Sequence, residues 1–127
     1  MDTLKNGTLR KHCSTIFPEP VRQLASQRAD ILVTHEAPGC HPHGFDELTR
    51  LAQSMRVQAS FHGHQHDCLD YSAHHAALGF RPYGVGFCGI TAFDQRDGSV
   101  RVIAAGDFDE QRGYRQQKME VGDVERT

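Results

Sequence analysis

The stretch "ADILVTHEAPG", Ala29 to Gly39, decides how the rest of the chain is read. A short apolar run climbs through Ile31, Leu32 and Val33, reaches a histidine at His35, and is broken by Pro38-Gly39. That length, with those flanks, predicts a buried strand, parallel to its neighbour. "CHPHG" (40–44) follows as a loop. "FDELTRLAQSMR" (45–56) then places Phe45, Leu48, Leu51, Ala52 and Met55 on one helical face. Asp46 and Glu47 in its first turn and Arg56 at its end suit the helix dipole. "VQASFHGHQH" (57–66) is a second strand, and it too runs into histidines. Strand, helix, strand in this order is a βαβ unit with a right-handed crossover.

Working outward, "PEPVRQLASQRA" (18–29) predicts a short helix with Pro20 in its first turn. "DCLDYSAHHAALGFRP" (67–82) predicts an irregular or partly helical connection. "YGVGFCGITAFD" (83–94) and "SVRVIAAGDF" (99–108) alternate, and Asp97-Gly98 between them is a hairpin signal. The expected class is therefore α/β, a βαβ unit followed by a β-hairpin. Residues 18–109 form the body. An N-terminal segment, 1–17, shows no periodicity, and a polar tail, 110–127, is expected to be exposed, in part helical or frayed.

Composition narrows the class of partner. Fourteen basic against sixteen acidic residues leave a formal charge of −2, and the basic ones are dispersed. No nucleic-acid groove or anionic membrane is implied. No apolar run reaches the length of a membrane span, and the first residues lack the apolar stretch of a signal peptide. Cys13, Cys40, Cys68 and Cys88 are scattered with no CxxC pair. They read as reduced thiols in a cytoplasmic protein rather than a zinc ribbon or a disulfide framework.

Histidine is the outlier. Eight of the nine lie within residues 35–75. Parallel strands end on the same side of a sheet, and ligands bind beyond their carboxyl ends. His35 ends the first strand; His64 and His66 end the second and share a face while the chain stays extended. Neutral imidazole suits Mn, Fe, Zn and similar ions. The residues thus predict a metal site on His35, His64 and His66. Gly63 is read as the point where the chain turns and approaches a neighbour closely. His62 is either a supporting hydrogen-bond donor or a buried, satisfied side chain. Glu36 and Asp67 adjoin ligand positions and either orient imidazoles or lie on the surface. His41 and His43 either line a cleft or belong to a solvated loop, which is the preferred reading. Cys40 and Cys68 are read as ordinary thiols rather than extra ligands, and His74-His75 as surface.

"GHQH" at 63–66, after a short apolar run, resembles the closing GHxH motif of the calcineurin-like metallophosphoesterases. "ILVTHEAP" (31–38) is similar to the preceding motif there, a strand ending in a lone metal-binding histidine with a proline beyond. The hairpin after residue 83 resembles the strands that follow GHxH. The resemblance covers roughly residues 18–108. It implies a paired-sheet αββα sandwich, here a partial one, and two metal ions that activate a water for attack on a phosphate ester. It implies that His35 and His64 bind one ion and His66 the other.

The family's earlier motifs are absent from this sequence. No D-x-H occurs, and the only asparagine, Asn6, precedes Gly7, so no Asn-His pair exists. "GDFDE" (106–110) has Glu110 where the G-D-x-x-D pattern needs Asp, and lies on the wrong side of GHxH. Those motifs supply the carboxylate ligands, and imidazoles alone cannot bridge two cations. The expectation is a truncated phosphoesterase-like hydrolase holding at most one divalent transition metal per chain, with no catalytic residues of its own. It would be inactive alone and act on phosphate mono- or diesters only when completed by a second polypeptide. Exposed apolar surface left by the missing strands would favour self-association or such a partner. The alternatives are an inactive remnant and a non-catalytic, His-rich single-metal module.

Overall fold

A computed structural model of the chain describes residues 18–117, together with the backbone at 4–5 and 8–9. Strands β1 (Leu4–Lys5) and β2 (Thr8–Leu9) form a minimal antiparallel ladder. The body runs α1 (Pro18–Ala25), β3 (Ile31–Thr34), α2 (Asp46–Ser54), β4 (Ala59–His62), a short 3-10 turn (Ser72–His74), α3 (His75–Leu78), β5 (Arg81–Gly84), β6 (Ile90–Asp94) and β7 (Ser99–Ala104). A further helical turn covers 114–117. Among the described residues no helix is long and apolar enough to cross a membrane.

The protein is mixed α/β. β3, β4 and β5 make a parallel sheet in that order, and β6 and β7 a separate antiparallel pair. The expected βαβ unit is present, with Thr34 opposite His62 in register. The core lies between α2 and one face of the sheet. Leu51, Ala52, Met55, Val57 and Phe80 are buried there, and Val21, Leu32, Leu48 and Leu78 pack around them. Phe45 departs from the expected face. It caps α2 in an extended conformation, 49% exposed, its N–H donating to the Ala37 carbonyl.

Two strands differ from their sequence reading. β3 is parallel as expected but is an edge strand, and Val33 is 74% exposed on the face away from α2. A four-residue apolar run carries no mark that separates an edge strand from a central one. β5 (Arg81–Gly84) has no mark in the sequence pattern, which joins Tyr83 to the hairpin. Pro82 lacks a ladder donor and makes the run look like loop, yet proline is tolerated on an edge strand. Pro82 sits there, opposite Ser60 and fully buried. The hairpin itself is confined to β6 and β7, with Gly98 in its turn at φ +74.

Candidate metal centre

The backbone brings the two predicted strand ends together. Beyond the last registered pair the ladder continues one step, where the Gly63 N–H donates to the His35 carbonyl at 3.2 Å. The Thr34 hydroxyl donates to the Glu36 carbonyl at 2.7 Å and turns the chain just past β3. His35 and His64 are thereby held side by side. Their rings meet edge to face at 4.6 Å, and His35 Nε2 lies 2.6 Å from His64 Nδ1, one nitrogen donating to the other. Both side chains are exposed.

Glu36 completes the cluster. Ligand atoms of His35, Glu36 and His64 all lie within 4.8 Å of one another. Glu36 Oε1 faces the other nitrogen of His64, Nε2, at 3.6 Å. A carboxylate on the far side of an imidazole is the arrangement that fixes the ring of a metal-bound histidine. Among the described residues this is the one group of His, Cys, Asp and Glu side chains gathered closely enough to hold an ion.

The donor set fits a transition metal with a small adjustment. Two imidazole nitrogens bound to one tetrahedral ion at 2.0–2.1 Å stand about 3.3 Å apart. The observed pair would open by about 0.7 Å as the shared proton leaves. His66 is not part of this cluster. It is half-buried, and its ring packs on Phe87 at 5.1 Å.

The turn between these histidines is not made where the sequence suggested. A Cβ on Gly63 would meet nothing within 4 Å, and the positive φ values belong to His64 (58°) and His66 (57°). Non-glycine residues hold that conformation only when their surroundings enforce it. Gly44 is a glycine that permits a close approach to backbone, since a Cβ there would clash with the Pro38 carbonyl oxygen.

Beneath the exposed pair lies a buried polar layer. His62 is 3% exposed, at the end of β4. Its Nδ1 faces the Gly63 carbonyl at 3.4 Å, an acceptor only, so Nε2 accepts from the Tyr71 hydroxyl at 3.0 Å. Burial holds the imidazole neutral, with a pKa lowered to about 4. His62 is thus the satisfied core histidine of the two sequence readings. Burial likewise raises the Cys40 thiol to about 12, and Cys40 lies outside the His35, Glu36 and His64 group.

His41 corrects the solvated-loop reading: it is 2% exposed. Its Nδ1 accepts from the His43 N–H at 2.9 Å, so Nε2 donates to Asp67 Oδ2, also at 2.9 Å. His43 itself is exposed and outside the cluster. Asp67 does orient an imidazole, though a buried one rather than a ligand. It is 2% exposed and also accepts from Arg115 Nη1 at 2.8 Å. Burial raises the Asp67 pKa, and the hydrogen bonds from His41 and Arg115, with the Arg115 charge, outweigh it, so the net direction is down. Arg115 belongs to the segment expected to be an exposed tail. Its side chain instead packs back over 65–67, and no periodic pattern in that polar stretch announces it.

No family model matches the chain, and no solved structure matches it. It is 42% identical over 67 residues to an uncharacterized protein from Haemophilus influenzae. That match takes in 53% of this chain and 30% of the relative, so the chain spans about a third of the relative's length.

Proposed function

We propose that this chain carries one metal-binding side of a calcineurin-like metallophosphoesterase centre, built on a partial αββα sandwich. The observation that supports this reading is the convergence of His35 Nε2 and His64 Nδ1 to 2.6 Å from the ends of neighbouring parallel strands. His35 and His64 would hold one Mn, Fe or Zn ion, with Glu36 orienting His64. When bound, such an ion activates water and neutralises phosphoryl oxygens of a phosphate mono- or diester. His66 lies outside this cluster and packs on Phe87; by the resemblance it would take the second ion. The carboxylates that such a second ion needs are not in this sequence. The isolated chain is then a one-metal protein without turnover, and catalysis requires a second polypeptide or segment that supplies them. Val33 on the parallel sheet and Ile90, Val102 and Ile103 on the hairpin are each about half exposed or more and leave apolar area for such a partner to cover.

The non-catalytic reading differs only in needing no partner. Purified apo protein titrated with Mn, Fe(II) or Zn, with the bound ion counted by elemental analysis, tests the shared core. One ion per chain, lost in His35→Ala and in His64→Ala, is expected. Failure to bind any of the three ions contradicts both readings. Metal-dependent hydrolysis of a phosphomonoester or phosphodiester by the pure chain would refute its dependence on a partner.

A further inference from the structure

The loop that presents His64 and His66 has two consecutive ligand-bearing positions in the left-handed region, at φ 58° and 57°. Something must hold it there. Its own backbone contributes one bond, from the Gln65 N–H to the Gly63 carbonyl at 2.7 Å. The Gln65 carbonyl, which lies between the two histidines, points the other way. It accepts from Arg112 Nη1 at 2.8 Å and from Arg115 Nη1 at 3.0 Å. Arg115 Nη1 also reaches Gln65 Oε1 at 3.1 Å and Asp67 Oδ2 at 2.8 Å. The Arg112 guanidinium stacks over Phe108 at 5.5 Å, Phe108 packs on Phe87 at 5.4 Å, and Phe87 packs on His66 at 5.1 Å. One segment, 108–116, therefore grips the loop twice, through a carbonyl and through an aromatic chain.

We propose that Arg112 and Arg115 are positioning residues that clamp the Gln65 carbonyl and so fix His64 and His66 in ligand-ready orientation. This rests on the metal-site reading above. Two donors with full charge on one carbonyl oxygen bind more strongly and more directionally than neutral donors. They also place positive charge near a cation site. Through charge alone, their removal would tighten metal binding; through geometry, it would weaken it. The two accounts predict opposite signs.

Cobalt(II) added to the apo protein provides the test, with affinity read from its visible absorption. Arg112→Met and Arg115→Met are expected to weaken cobalt binding by about ten- to a hundredfold, the loss typical of residues that orient metal ligands. Arg112→Lys should recover part of the loss, and Arg96→Met, on the exposed hairpin, should leave affinity unchanged. Arg115 is buried and its variant risks the fold, so Arg112→Met, half-exposed, carries the test if Arg115→Met does not fold. Amide exchange at 63–66 in metal-free protein should also speed up in Arg112→Met. Affinity within about twofold of the parent, or tighter, together with unchanged exchange, overturns the positioning role. A parent protein that binds no cobalt while the variants still loosen 63–66 overturns the metal reading and leaves the clamp standing.

Discussion

Acid should destabilise this protein through His62 as pH falls below 6.5. His62 is 3% exposed and accepts a hydrogen bond from Tyr71 on Nε2. Its pKa is lowered to about 4, chiefly by burial, against an ordinary value of 6.5. Between those two values the unfolded chain binds a proton at this position and the folded chain does not. Stability is therefore complete above pH 6.5, falls as pH drops through it, and levels off near pH 4 for this group. A gap of about 2.5 units at ~1.4 kcal/mol each gives a loss on the order of 3 kcal/mol. Urea unfolding between about pH 7 and pH 4, with chelator present, measures it. His62→Gln keeps an acceptor for Tyr71 but does not titrate. The parent should lose about 3 kcal/mol more than His62→Gln across the window. Equal losses would refute the claim that His62 is held neutral by burial.

Other perturbations separate the buried layer from the surface. Arg115→Met should cost about 3–5 kcal/mol in urea unfolding at neutral pH, because it leaves Asp67 buried without its cation. Asp67→Asn should remove a further acid-induced loss that begins as pH falls below 3.8, since the depressed Asp67 pKa contributes stability that is full above that value and is lost as pH falls through the lower folded value. Gly44→Ala should cost at least about 1–3 kcal/mol, since its Cβ meets the Pro38 carbonyl, whereas Gly63→Ala should stay within about 0.5 kcal/mol by the same measurement. Ile103→Glu should reduce concentration-dependent association in sedimentation velocity, if the exposed apolar side of the hairpin drives it.

Local periodicity and strand ends were legible in the sequence. The run to His35, the α2 face and the run to His62 each carry their own signal, and the βαβ rule places the ends together without further information. What was not legible depends on long-range packing. Whether His41 sits in solvent or in the core is decided by Asp67, 26 residues away, and by Arg115, 48 residues beyond Asp67. The Pro82 strand reads as loop because a missing donor matters less on an edge than in the middle of a sheet. Gly63 was credited with the turn because glycine tolerates it most cheaply, yet the chain imposes that conformation on His64 and His66. Glu36 was visible only as a neighbour of His35, and its place on the far nitrogen of His64 needed the folded loop.

The central claim is that His35 and His64 form a metal site. Elemental analysis of the apo chain reloaded with Zn or Mn, beside His35→Ala and His64→Ala, tests it most directly. One ion per parent chain and none in either variant is the predicted result. An unloaded parent, or variants that retain the ion, would contradict it.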